Sequence, residues 1–355
     1  MMRTPIRADR RQATTAAAAA DTAQALRAGR RSGLRTLAAL GLGLGLSLAA
    51  GAGMAASYPA PGKPITLVVP FGAGSGTDQQ ARAYAQALST EFGAEIVVEN
   101  KGGASGMIAA QYVAKAPADG YTLMLTTNTT QAADEHLFKK LSYDPVKDFT
   151  PITLLSKGYM FLLVNPKSPY KTVSDLIAAA RKTPGKLNFG SGSSSSRVAG
   201  ELLKQMTGTD IVNVPYTSNP KSIVDLLGGQ IDFMFADTST ALPQMNGGKL
   251  RALAVSGTRR LASAPDVPTV SESGVKGYDM SYWTAAYLPK GASPELQKRL
   301  HEMFVKASSS QVVKTYYTNT SAEAINTTPE GLMNFQIAES KKWGDIIKKA
   351  GIQPE

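Results

Sequence analysis

The chain has no cysteine and only two histidines among its 355 residues. Without cysteine there is no disulfide framework, iron–sulfur cluster, Cys-zinc site or cysteine nucleophile. His136 and His301 stand far apart in sequence, which argues against a multi-His catalytic metal site. Acidic residues are fewer than basic ones, 27 against 38, and the net charge of +11 raises the question of a nucleic-acid partner. Its distribution answers that question. Residues 1–56 hold eight arginines against Asp9 and Asp21, so the remainder carries 30 basic and 25 acidic groups, a net of only +5. Mixed signs without clustered Lys/Arg among aromatics do not make a phosphate-binding stripe, and no nucleic acid is expected as a partner. A hydrophobic fraction of 43% suits a soluble globular protein, and the length suggests two domains.

Residues 1–56 read as a cleavable signal peptide. An arginine-containing front ends at Arg35, residues 37–56 are apolar and small, and Gly53-Met54-Ala55-Ala56 suits signal peptidase. The 20-residue apolar run is also long enough for a membrane anchor, but its Ala/Gly composition favours cleavage. Arg30-Arg31 vaguely resembles a twin-arginine signal, yet Gly33 stands where that signal prefers a large apolar residue, so Sec export is the better reading. No cysteine follows the run to carry a lipid. A bacterial periplasm is the expected location.

From residue 65 onward, short Ile/Val/Leu-rich runs alternate with helical patterns. Strands are expected at 65–71, 95–99, 121–126, 187–189, 211–214, 231–235, 250–255 and 280–288. Residues 152–164 form another apolar stretch, broken at Lys157-Gly158. Helices are expected at 78–92, 107–116, 173–183, 198–206, 222–227, 294–308, 311–318 and 329–350. Repeated βα units imply α/β lobes, each with a mainly parallel sheet flanked by helices.

Two Gly/Ser loops each sit between a strand and a helix. The first, Gly72-Ala73-Gly74-Ser75-Gly76-Thr77-Asp78, lets backbone approach a ligand and leaves N–H groups free at a helix start, an arrangement that binds carboxylate or phosphate. It matches neither the dinucleotide fingerprint nor a P-loop, and a tight turn capped by Thr77 or Asp78 reads it equally well. The second, Gly190-Ser191-Gly192-Ser193-Ser194-Ser195-Ser196-Arg197, adds four hydroxyls. Arg197 opposes the helix dipole there, which suggests an anion contact, the alternative being an ion pair with Glu201 one turn on. Further candidates at strand carboxyl ends are Tyr216, Thr217 and Ser218, and Asp237, which could equally be a helix cap. Tyr216 could stack on an aromatic acid or form half-buried wall, whereas Tyr282 and Trp283 read as core or hinge packing.

Ordered stretches then carry a resemblance. Pro64-Ile65-Thr66-Leu67-Val68-Val69-Pro70-Phe71, Glu99-Asn100-Lys101-Gly102-Gly103, Ala118-Asp119-Gly120-Tyr121-Thr122-Leu123, Val214-Pro215-Tyr216, Gly228-Gly229-Gln230-Ile231-Asp232 and Asp266-Val267-Pro268-Thr269 are similar to the periplasmic receptors of tripartite tricarboxylate transporters, also called Bug receptors. The resemblance spans about 58–353. It implies a two-lobed periplasmic binding protein, or Venus flytrap, with lobe one at 58–165 plus 281–355 and lobe two at 166–280. It implies an organic carboxylate as ligand, transporter membrane subunits as partners, no cofactor, no enzymatic activity and a monomer. The ligand-holding loops fall on Gly74, Ser75, Gly76, Thr77 and Asp78 and on Ser193, Ser194, Ser195, Ser196 and Arg197. Two departures stand out: Gly-Ala-Gly-Ser-Gly replaces the commoner Pro-Pro-Gly-Gly, and Arg197 stands where His is usual. A dicarboxylate is the expected ligand, an aromatic one such as terephthalate among the candidates. The competing reading is a periplasmic serine hydrolase. No Gly-x-Ser-x-Gly elbow occurs, and neither histidine has a triad context.

Overall fold

A computed structural model describes residues 58–355. The signal peptide expected at 1–56 lies outside the described residues. The first βα units follow from sequence as anticipated. β1 (Ile65–Val69) is an apolar run that is buried almost throughout, and it leads through the glycine loop into α1 (Gly76–Phe92). Ser75 caps α1 by accepting the Asp78 N–H, and Gly93 ends it at φ +62°. β2 (Ile96–Asn100), α2 (Met107–Ala114) and β3 (Thr122–Thr127) follow. Next come a π-turn over Thr129–Ala133 and the single-turn α3 (Asp134–Leu137).

The apolar stretch after residue 149 does not break at Lys157-Gly158. It forms one 16-residue strand, β4 (Phe149–Val164). Glycine is required at 158 for a steric reason, since a Cβ there would lie 2.5 Å from the Tyr282 hydroxyl. The second set comprises α4 (Val173–Lys182), β5 (Asn188–Ser191), α5 (Ser194–Thr207), β6 (Val212–Pro215), α6 (Asn219–Gly228), β7 (Phe233–Asp237), α7 (Thr238–Asn246) and β8 (Arg251–Val255). The chain closes with β9 (Ser281–Pro289), α8 (Pro294–Ser308), α9 (Gln311–Thr320), the short β10 (Glu323–Ala324) and α10 (Pro329–Lys349). Helix α7 was not anticipated. Its Thr-Ser-Thr start and internal Pro243 resemble a loop in sequence.

Strand order is β2-β1-β3-β9-β4-β7-β5-β6, with β8 and β10 also on β4. β1 pairs in parallel with β2 and β3, and β5 with β6 and β7. The long strand links these two parallel sets by antiparallel pairing. Its residues Phe149 to Tyr159 run beside β9, and Met160 to Val164 run beside β7, with β8 on the other edge. Helices pack on the sheets, and α5 shows why they do. Its Val198, Ala199, Leu202 and Leu203 recur at helical spacing and are buried, while Gly200 lets the helix close onto Phe189, whose ring would sit 2.2 Å from an added Cβ. Phe189 stacks on Phe233, and Phe235 stacks on Tyr278, at centroid separations of 5.5 and 6.0 Å. Removing one such ring costs about 3–5 kcal/mol.

Candidate functional site

Both Gly/Ser loops deliver helix N-termini to one cavity. The cavity measures about 40 Å³ when taken as the volume swept by the centre of a water molecule. At about 10–15 Å³ per water on that measure, it holds on the order of three waters or the chain of a small molecule. Ser75, Gly76 and Thr77 face it from the start of α1, and Gly192, Ser193 and Ser195 from the start of α5. In α1 the Asp78 N–H is taken by Ser75 Oγ at 3.3 Å and the Gln79 N–H by Ser75 O at 3.0 Å. The N–H groups of Gly76 and Thr77 therefore have no intrahelical acceptor. In α5 the Ser196 N–H goes to Ser193 Oγ at 3.2 Å and the Arg197 N–H to Ser193 O at 3.0 Å. That leaves the Ser194 and Ser195 N–H groups in the same position. Two helix dipoles thus present positive ends to one space, and among the described residues that line it no Lys or Arg occurs. An anion there would be held by neutral donors.

Strand ends and a distant helix complete the walls. Thr127 stands at the end of β3, Ser156 and Met160 in β4, Tyr282 and Thr284 in β9, and Tyr316 in α9. Burial pushes the Tyr282 and Tyr316 hydroxyls well above the ordinary tyrosine range, so both are neutral hydrogen-bonding groups. Tyr316 donates to Gly76 O at 3.1 Å, which fastens α9 to the first turn of α1. Asp237 and Asn219 form the remaining wall. The Asp237 carboxylate accepts from Asn219 Nδ2 at 2.9 Å, Ser239 Oγ at 2.5 Å and the Thr240 N–H at 3.1 Å, so Asp237 both caps α7 and faces the cavity.

The expected residues separate into three groups. Ser75, Gly76, Thr77, Ser193, Ser195 and Asp237 line the cavity together. Gly74, Asp78 and Ser196 do not; they build the loops. The Asp78 carboxylate accepts from the Gly74 N–H at 2.9 Å, Arg82 Nε at 3.1 Å and Asn100 Nδ2 at 3.0 Å. Burial alone would raise Asp78, but the bonds from Arg82, Gly74 and Asn100 outweigh it and hold the carboxyl below its usual range. Ser196 closes a reciprocal capping box with Ser193.

Ser194, Arg197, Tyr216 and Thr217 face a different, wider groove, about 570 Å³ on the same measure, which also contains Ala104, Ser105 and Glu355. Arg197 pairs there with Glu355, not with Glu201, which lies 3.8 Å from Lys204. The Tyr216 hydroxyl donates to Asp225 at 2.7 Å, and burial followed by this bond pushes it up to about 12. Ser218 borders the glycine loop, its Oγ 3.2 Å from where a Cβ on Gly72 would stand. Sequence reasoning missed Thr127, Ser156, Asn219, Thr284 and Tyr316, and it assigned Tyr282 to packing. Asn219 was within reach of the strand-end rule that selected Ser218, one residue earlier.

Comparison with known proteins agrees with this architecture. A model of the tripartite tricarboxylate transporter family receptor matches residues 80–352. Protein BugT of Bordetella pertussis is 31% identical over 320 residues, covering 89% of this chain and 98% of that protein. Among solved structures, R. palustris Rpa4515 with adipate is 34% identical, covers 83% of this chain and 99% of its own, and superposes with a TM-score of 0.80. The periplasmic binding protein BugD gives 30% identity, coverage of 83% and 100%, and a TM-score of 0.80. MatC from Rhodopseudomonas palustris with bound malate gives 30%, coverage of 81% and 100%, and a TM-score of 0.77.

Proposed function

Because the chain belongs to the family of tripartite tricarboxylate transporter receptors, whose members bind solutes rather than transform them, we propose that it captures a small organic dicarboxylate in the periplasm and delivers it to transporter membrane subunits. The observation that carries this reading is the pair of helix starts, at Gly76-Thr77 and at Ser195, whose N–H groups have no intrahelical acceptor and which line one cavity. Adipate and malate in the similar structures support a carboxylate.

The ligand closes two lobes, 58–165 plus 281–355 and 166–280. Support comes from the two parallel strand sets joined by β4, and from the fact that the α1 cradle belongs to one set and the α5 cradle to the other. A ligand touching both cradles binds the closed form better and shifts the equilibrium toward it. Export is by the signal at 1–56, and the receptor acts as a monomer. Isothermal titration of purified protein with mono-, di- and tricarboxylates tests the proposal, with mass analysis of the recovered ligand. A receptor binds one acid per chain and returns it unchanged. A hydrolase would return products.

A further inference from the structure

One acceptor on a cavity-lining side chain is left over. Asn219 is 8% exposed, lines the cavity, and its Oδ1 takes no hydrogen bond from any described residue. The amide orientation is fixed by chemistry, because its other end meets the Asp237 carboxylate at 2.9 Å. The Asp237 carboxylate accepts three hydrogen bonds, and turning the amide over would set oxygen against oxygen. The backbone allows little retreat. Gly192 lies so close that a Cβ on it would stand 2.2 Å from the Asn219 nitrogen, and Pro220 follows.

The cavity hydroxyls can either donate or accept, whereas the Asn219 oxygen can only accept. It sits beside a carboxylate with no Lys or Arg among the described lining residues. Asp237 Oδ1 is in turn close against the α1 start, 2.5 Å from where a Cβ on Gly76 would stand. Donors suited to a ligand carboxylate and acceptors suited to a ligand donor are therefore neighbours.

Resting on the carboxylate reading above, we propose that the ligand carries a hydrogen-bond donor, a hydroxyl or an ammonium group, on the carbon next to a carboxylate, and that Asn219 Oδ1 with Asp237 selects it. A plain dicarboxylate leaves the Asn219 oxygen buried and unpaired. An ammonium group would also meet the Asp237 charge, whereas a hydroxyl would meet only its lone pairs.

Calorimetric titration with matched sets tests the inference: succinate, malate and aspartate; glutarate, 2-hydroxyglutarate and glutamate; adipate and 2-aminoadipate. In the best-bound set, the substituted acid binds at least tenfold tighter than the plain one. Preference for the amino acid identifies the ammonium, and preference for the hydroxy acid identifies the hydroxyl. In Asn219→Leu, with native circular dichroism, the ratio falls to about twofold or less; the wild-type ratio decides alone where that variant does not fold. Plain acids binding as tightly as their substituted partners would overturn the inference and leave the carboxylate reading standing. Binding of none of the eight, with another carboxylate that lacks such a donor bound instead, would overturn the inference alone; binding of no carboxylate at all would overturn both.

Discussion

Asn128 donates from Nδ2 to Ser195 Oγ at 2.8 Å, while its Oδ1 accepts the Trp283 backbone N–H at 3.1 Å. All three residues are buried. The Trp283 bond fixes the amide, and the amide fixes the serine. With a lone pair of Oγ occupied, the Ser195 hydroxyl keeps its proton to give to a ligand in the cavity. Ser195→Ala is expected to weaken carboxylate binding by about 1.5–3 kcal/mol, the range for hydrogen bonds to charged groups, and Asn128→Ala by about 1 kcal/mol. Calorimetry on both variants checks this, and equal affinity in Ser195→Ala would remove that hydroxyl from the contact set.

A second bond from the same helix start predicts a pH dependence. Ser194 Oγ donates to Asp134 Oδ1 at 2.8 Å, and Asp134 is fully buried. Burial pushes its carboxyl well above the ordinary range, although Ser194, Tyr143 and Arg197 pull the other way. Between the unfolded value of about 3.9 and the higher folded value, the native state binds more protons, so stability falls as pH rises through that window. Asp134→Asn retains an acceptor for Ser194 and removes the titration. Its melting temperature relative to wild type is expected to climb as pH goes from 4 to 8. A difference that is flat with pH would mean that Asp134 titrates normally.

Gly192 predicts a steric effect. A Cβ there would meet Asn219 N and the Ser218 carbonyl carbon, both at 2.2 Å, and backbone at the start of α6 does not yield cheaply. Gly192→Ala should destabilise by about 1–3 kcal/mol and reduce ligand affinity more than tenfold. Gly228→Ala, in the same helix α6, meets only the flexible Gln230 at 3.9 Å and should change stability by no more than about 1 kcal/mol, in the stabilising direction. Thermal melts of both variants give the comparison.

Arg197 and Glu355 form a partly exposed pair, with side chains 23% and 58% exposed. Such pairs contribute about 0–1 kcal/mol. Glu355→Ala is expected to cost no more than that in denaturant melts. Since Arg197 faces the wider groove, Arg197→Ala should lower carboxylate affinity less than Ser195→Ala does. The reverse order would bring Arg197 into the contact set.

The alternating βα units were legible because Ile, Val and Leu runs and helical stripes are local signals, and helix 294–308 was read to the residue. The loops at 75–77 and 193–195 that line the cavity were legible for the same reason, as a glycine or serine loop between strand and helix. The segment 129–137 was not. Its Thr129, Thr130, Gln131 and Asp134 are polar yet buried, and no periodicity marks them. Tyr282 and Tyr316 reach the cavity through contacts far apart in sequence; Tyr316 bonds to Gly76 across 240 positions. Burial of that kind is decided by tertiary packing, which no local pattern encodes.

The central claim is tested most directly by melting protein that native mass spectrometry shows to be ligand-free, with and without each acid of a carboxylate panel. A ligand that binds only the folded chain adds about 2.7 kcal/mol of stability at 100 times Kd. At roughly 2 °C per kcal/mol for a chain of this size, the expected rise is about 5 °C for the true ligand. No rise with any carboxylate would contradict the receptor assignment.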